Sequence, residues 1–274
     1  MKKAKVLLIS PNMRGLDDGV NRIQPSLGLM LIASMLLDAG HEVKIWDTAL
    51  EGWKNRRLID PVKKKLIIGQ TDVEIENVIS NFLPDIVAVT VLFSNFLAAA
   101  HNVARLSKKV NKNIKVVLGG NHITNAVLDY SFSSDKNSNL PDSIVDLEDE
   151  NIDFGMIGEG EKPMVQLVDT IINEGDFNKV PGLVKRIGKK KYLINRKNAK
   201  HDMNLLPQPA RHLVNMEGYF NIGAFQSAKS RSKRVLSIQC SRGCPEKCTF
   251  CTTPQQWGSN VRWRSTEHIM KEVN

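Results

Sequence analysis

The chain has 274 residues, 42% hydrophobic and 24% charged, the composition of a globular protein long enough to bury a sizeable core. Its 38 Lys and Arg against 29 Asp and Glu give a net charge of +9, dispersed in groups such as Lys63-Lys64-Lys65, Lys108-Lys109, Lys189-Lys190-Lys191 and Arg231 to Arg234. Only 6% of the chain is aromatic and no aromatic residue interleaves with these groups, so they read as solvated surface and no nucleic-acid stacking platform is expected.

The first apolar run, Val6-Leu7-Leu8-Ile9, is too short for a signal peptide, and Pro11, Asn12 and Arg14 follow at once. No stretch approaches the roughly 18 apolar residues of a membrane span. A cytoplasmic protein with reduced cysteines is expected. "KVLLIS" (5–10) predicts a buried strand, and "SLGLMLIASMLLDAG" (26–40) a helix with Ser26 as N-cap and Gly40 as its stop. "HEVKIWD" (41–47), "DIVAVTV" (85–91) and "IKVVLGG" (114–120) predict further strands, separated by helices over 72–82 and 94–110. "IDFGMIGEGE" (152–161) supplies a fifth strand, with a helix over 163–175 behind it. Strands alternating with helices predict an α/β fold, a doubly wound parallel sheet of the Rossmann or flavodoxin kind. The polar stretch 130–151, with Asp146, Glu148, Asp149 and Glu150, reads as a solvated loop because it lacks calcium-loop spacing. A hairpin around Gly188 (182–196), a proline-bearing connector (204–214) and a new strand "KRVLSIQC" (233–240) complete the pattern.

Ligands of doubly wound sheets sit beyond the carboxyl ends of the strands. Those ends here offer Ser10 and Pro11, Thr90 and Val91, Gly119, Gly120 and His122, and Gly158, Glu159, Gly160 and Glu161. The first turn lacks Gly-x-Gly-x-x-Gly, which argues against a dinucleotide. Each glycine taken singly serves the turn; four such loops on one edge favour a ligand.

All four cysteines, Cys240, Cys244, Cys248 and Cys251, fall within "CSRGCPEKCTFC". A structural zinc site takes two separated pairs of ligands, and no second pair exists. An iron–sulfur cluster suits consecutive thiolates, and three of them leave one iron of a [4Fe–4S] cluster open. "RGCPEKCTFC" resembles the cluster loop of radical S-adenosylmethionine (SAM) enzymes, with Phe250 in the aromatic place of the loop. That resemblance implies that Cys244, Cys248 and Cys251 hold the cluster, that SAM chelates the open iron beside Phe250, and that SAM cleavage yields a 5′-deoxyadenosyl radical. Cys240 then lies outside the ligand set, as a small residue ending a strand. "WGSNVRWRSTEHIMKEV" resembles the entry to the first barrel helix, with Ser265 as N-cap.

"PSLGLMLIASMLLDAGHEVKIWD", "DIVAVTV", "VVLGGNHIT" and "IGEGE" resemble segments of the cobalamin-binding domain that precedes this barrel in one large subgroup. The implied division is a cobalamin-binding domain with its hairpin at 1–195, a linker at 196–232, and the first unit of a radical SAM barrel at 233–274. The implied cofactors are a [4Fe–4S] cluster, SAM and cobalamin, the last held by the strand-end residues named above. Asp-x-His-x-x-Gly is absent and His41, His101, His122, His201, His212 and His268 stand in other settings, so no lower axial imidazole is expected. His122 is placed at the corrin edge or as a brace for its loop. Methyl transfer to an unactivated carbon, or a related ring-forming reaction, is the implied chemistry, with a small-molecule substrate and a flavodoxin- or ferredoxin-type electron donor. Because a (β/α) barrel takes on the order of 200 residues, the chain is expected to be truncated early in that barrel and inactive alone. The rival expectations are a corrinoid-binding module without catalysis and a zinc-binding regulatory protein.

Overall fold

The computed structural model describes residues 2–132, 144–189, 191–195, 200–223, 232 and 234–273. In chain order the elements are β1 (Lys5–Ser10), β2 (Met13–Leu16), α1 (Leu27–Asp38), β3 (Glu42–Asp47), α2 (Thr48–Glu51), β4 (Arg56–Asp60), β5 (Lys65–Ile68) and α3 (Asp72–Phe82). They continue with β6 (Ile86–Thr90), α4 (Leu97–Val110), β7 (Lys115–Gly119), α5 (Asn121–Phe132), β8 (Phe154–Met156), α6 (Glu161–Ile172) and the hairpin β9 (Leu183–Gly188) and β10 (Lys191–Ile194). After these come α7 (Met216–Ile222), β11 (Ser241–Arg242), α8 (Thr253–Trp257), β12 (Arg262–Trp263) and α9 (Thr266–Val273).

The main sheet runs β10-β9-β8-β7-β6-β1-β3. Pairings from β3 through β8 are parallel, and β9 and β10 join as antiparallel strands. The parallel strands, counted in sequence, therefore take the 2-1-3-4-5 order of flavodoxin-like folds. Alternate residues explain why the strands read as unbroken apolar runs. Leu7 and Ile9 face the layer containing Ile75, Ile79, Val103 and Leu106 of α3 and α4. Val6 and Leu8 face the layer containing Met30 and Leu36 of α1 and Leu167 and Val168 of α6. Both faces are covered, so polar alternation would have cost buried, unpaired groups.

Local signals behave as their chemistry requires. Thr71 and Glu74 form a reciprocal capping box at α3, with Glu74 N donating to Thr71 Oγ1 at 3.3 Å and Thr71 N to Glu74 Oε2 at 2.7 Å. Gly40 follows α1 at φ +87°. Ser26 occupies the N-cap of α1, but its hydroxyl makes no capping bond.

Several expectations are corrected. No strand forms at 234–240, and Lys233 lies outside the described residues. Without a neighbouring ladder, its carbonyls are met elsewhere: Arg211 donates to Ser237 O at 2.8 Å, and Arg264 to Gln239 O at 3.2 Å and Cys240 O at 2.9 Å. The fifth strand shortens to β8, and the helix behind it starts at Glu161. The segment expected as linker packs onto the sheet domain: Met203, Leu206, Ala210 and Tyr219 are buried, and Ser34 Oγ donates to Gln208 O at 2.6 Å. In the acidic stretch, Asp146 and Asp149 are paired with His122 and His101 rather than solvated, and Glu148 accepts from Tyr192. Residues 133–143 of that stretch lie outside the described residues.

Candidate functional site

The chain of β1 passes to β3 on one side of the sheet, while β6 lies on the other, so the switch point of the winding falls between β1 and β6. A cavity of about 480 Å³ opens at the carboxyl ends of these strands. Its floor is apolar, with Leu8, Ala88 and Val117, and its rim carries Ser10, Pro11, Thr90, Gly119, Gly120, Gly158, Glu159, Gly160 and Glu161. Of the residues expected at this edge, Val91 and His122 stand back from it. Val91 is fully buried, its N–H donating to Gly119 O and its carbonyl accepting from His122 N. His122 uses both ring nitrogens, with Ser94 Oγ at 3.0 Å from Nδ1 and Asp146 Oδ2 at 2.9 Å from Nε2. Gly120 shows why this turn needs glycine: its φ is +112°, and a Cβ there would lie 2.7 Å from Val91 O.

The opposite wall comes from far along the chain, from Ser237, Gln239, Arg242 and Trp257. β11 and β12 pair antiparallel, Ser241 with Trp263 and Arg242 with Arg262, and so close residues 243–261 into a loop. Gly243, at φ +105°, lets the loop cross against Asn260, whose carbonyl would lie 2.3 Å from a Cβ. Cys244 N donates to Gly258 O at 3.1 Å. Cys244, Cys248 and Cys251 all lie inside this loop, and Cys240 lies outside it. All four thiols are free. Cys251 Sγ is 3.2 Å from Thr253 Oγ1, and hydrogen bonding by the Thr253 hydroxyl and backbone holds its thiol below the ordinary range. Phe250 is 90% exposed. Ser265 caps α9 through His268 N at 3.2 Å.

Between the two walls lies a buried ionic cluster that the sequence did not announce. Arg242 donates to Glu159 Oε2 at 3.0 Å and to Glu161, and stacks 5.0 Å over Trp257. Arg262 binds both oxygens of Glu159 and donates to His201 O at 2.8 Å. The Arg242 side chain is 3% exposed, and those of Glu159 and Glu161 are 2% and 5%. Glu159, Glu161 and His201 approach within 4.8 Å as metal ligands would, but two guanidinium charges already balance the two carboxylates. The motif read from sequence as ligand contacts thus has its carboxylates turned to arginines. Their partners are some 80 to 100 residues away in sequence, and only the motif "EGE" itself could have flagged the site.

Burial would raise the Glu159 carboxyl, but the Arg262 hydrogen bond and both guanidinium charges outweigh it and hold it below the ordinary range. Burial lowers His201 despite the neighbouring carboxylates, so the ring is neutral. Both shifts act in one direction. As pH falls through 6.5 the unfolded chain protonates His201 while the folded chain does not, and below 4.5 the same holds for Glu159. The melting temperature is therefore expected to fall by a few degrees on acidification from pH 7 to about 5.5. His201→Gln should flatten that part of a calorimetric pH series. An unchanged slope in the variant would remove His201 from the account.

A second buried pair fixes the far wall. Tyr219 of α7 donates to Asp47 Oδ2 at 2.6 Å, while Asp47 Oδ1 caps α2 through Ala49 N and Leu50 N. Burial raises the Asp47 carboxyl despite these bonds.

Residues 18–131 match the B12 binding domain family. The matched stretch covers β3, β6, β7 and most of α5, and with them Thr90, Gly119 and Gly120 of the cavity's rim; β1 and β8 lie outside it. Over 98% of its length the chain is 30% identical to cytidylyl-2-hydroxyethylphosphonate methyltransferase of Streptomyces wedmorensis, of which it covers 51%. It is 28% identical to an uncharacterized methyltransferase of Pyrococcus horikoshii, covering 50% of that protein. The chain spans about half the length of these curated relatives. Among solved structures, the cobalamin-dependent SAM radical enzyme OxsB, with aqua-cobalamin and SAM bound, superposes with a TM-score of 0.70 at 15% identity, over 99% of this chain and 31% of that one. This likeness concerns the fold, and it extends past the B12 binding domain into the cysteine loop. Among the described residues no helix is long and apolar enough to cross a membrane.

Proposed function

We propose that this chain is the cofactor-binding portion of a cobalamin-dependent radical SAM enzyme that transfers a methyl group to a carbon of a small molecule. One observation carries the reading. A sheet edge that includes strands of the B12 binding match, and the residues Arg242 and Trp257 that flank the loop bearing three free thiols, form opposite walls of a single cavity. The methyltransferase names of the two relatives given above favour methyl transfer, while a further relative, 26% identical, is named as a cyclase.

The residues present fit the groups concerned. An apolar floor and a rim of glycines accept a large planar ligand without side-chain obstruction. Three thiols inside a pinned loop, one of them acidified by Thr253, are the soft anionic donors that an iron–sulfur cluster takes. Cys244, Cys248 and Cys251 would hold the cluster, and Phe250 would meet SAM. When bound, the corrinoid supplies a methyl carrier, and the cluster supplies the electron that cleaves SAM. The chain's own residues do the positioning. Gly119, Gly120 and Gly158 let the ligand approach the backbone, and Arg242 and Trp257 close the side facing the cysteine loop. His122 is committed to Ser94 and Asp146 and serves as a brace rather than an axial ligand. Free thiols call for a reducing compartment such as the cytoplasm, and an electron donor of flavodoxin or ferredoxin type completes the scheme.

The test is anaerobic reconstitution with iron, sulfide and hydroxocobalamin, followed by EPR after partial reduction. Expected are one corrinoid per chain, no histidine nitrogen splitting in the cob(II)alamin signal, and a change of the cluster signal on adding SAM. Splitting that vanishes in His122→Ala would overturn the account of His122. Failure to take up corrinoid would refute the proposal. Corrinoid uptake with a cluster indifferent to SAM would instead indicate a non-catalytic corrinoid carrier.

A further inference from the structure

The ionic cluster at the cavity's edge does more than fasten two segments. Arg242 and Arg262 face each other across the β11–β12 ladder that closes the cysteine loop, and both end on Glu159. Glu159 and Glu161 sit at the exit of β8, where Gly158 turns at φ +74°, and both line the cavity. Arg242 and its stacking partner Trp257 line it as well, two residues before Cys244 and six after Cys251. Glu161 Oε2 and His201 Nε2 face each other at 4.0 Å, and neither they nor Arg262 Nε has a hydrogen-bond partner, so the cluster is tightly packed but not fully satisfied. A group of this kind responds to small changes at its border, because buried charges tolerate few alternative arrangements.

We propose that Glu159 and Glu161 are positioning residues which, through Arg242 and Arg262, transmit occupancy of the cavity to the loop carrying Cys244, Cys248 and Cys251. The proposal rests on the corrinoid and cluster assignment above. A ligand seated against Glu159, Arg242 and Trp257 fixes the guanidinium forks, and the forks fix both ends of the loop. Linkage makes the effect mutual: a loop ordered by its cluster favours the filled cavity.

The experiment follows amide hydrogen exchange of residues 241–263 and the Mössbauer spectrum of the iron, to which hydroxocobalamin contributes nothing. Wild type, Glu161→Gln, Glu159→Gln/Glu161→Gln and Arg242→Lys are each compared without the corrinoid and at saturation, judged by its visible absorbance. In wild type, saturation should slow exchange of the loop about tenfold and alter the Mössbauer parameters. Both responses should be lost in Glu161→Gln, which keeps Glu159 on both arginines but costs Arg242 one buried partner, so exchange is followed below a melting temperature that is expected to drop. Arg242→Lys keeps the charge without the fork or the stack on Trp257; its melting temperature should fall, and below it the folded variant should lose the responses. Equal slowing in wild type and all variants would overturn the proposal, as would full responses in Arg242→Lys. No binding of hydroxocobalamin by wild type would instead bring down the assignment on which the proposal rests.

Discussion

Replacing Cys244, Cys248 or Cys251 with alanine is expected to abolish iron binding, while Cys240→Ala leaves it intact. After anaerobic reconstitution, wild type and Cys240→Ala should each hold about four irons per chain, and the other three variants close to none. The fold gives a reason beyond cysteine spacing. The β11–β12 ladder encloses residues 243–261, and Cys240 lies before it, its carbonyl bound to Arg264 N. A fourth ligand from Cys240 would have to reach past that ladder. Iron and sulfide analysis with the visible spectrum decides the matter. Loss of iron in Cys240→Ala together with retention in any other variant would reverse the assignment.

The second large effect is expected at Gly28. This residue lies in the first turn of α1 and lines the cavity, and a Cβ built on it meets nothing within 4 Å. The first atom of a side chain there has free space, so Gly28→Phe is expected to crowd the cavity and to weaken hydroxocobalamin binding by a hundredfold or more. Phe is a somewhat better helix former than Gly, by about a few tenths of a kcal/mol, so the melting temperature should hold. Gly120 and Gly158 are poorer probes, because their positive φ angles confound lost binding with backbone strain. Binding by Gly28→Phe at wild-type affinity, measured by absorbance titration, would place the corrinoid outside this cavity.

The central sheet was legible because its parallel strands are buried on both faces and read as continuous apolar runs such as Leu7-Leu8-Ile9 and Val87-Ala88-Val89. The antiparallel sheet β2-β5-β4 was not. Its strands "MRGL" and "RRLID" are short, charged and exposed, and only Leu66 and Ile68 of β5 point to the interior. Helix α5 was hidden by Gly119, Gly120 and Asn121, which read as a turn, although Ile123 and Val127 are core residues. The strand-end rule located the cavity but not the direction of its side chains. Glu159 and Glu161 were placed correctly at the edge, yet the arginines that bind them come from the far end of the chain. Charge pairing over such separations leaves no local pattern. The 204–214 connector read as loose because of its two prolines, while its packing depends on contacts such as that of Gln208 with Ser34.

A wall contributed late in the sequence has a consequence for how the ligand is kept. Every sheet-edge residue of the cavity precedes residue 162, whereas Ser237, Gln239, Arg242 and Trp257 leave the ribosome afterwards. The sheet can thus present an open berth while the chain is still being made, and docking of the 234–263 segment adds a second wall. Exit past that wall would part Arg242 and Arg262 from Glu159, so the buried ion pairs add to the barrier on that side. Residence time, rather than the number of contacts the ligand itself makes, becomes the quantity that the late-arriving wall controls.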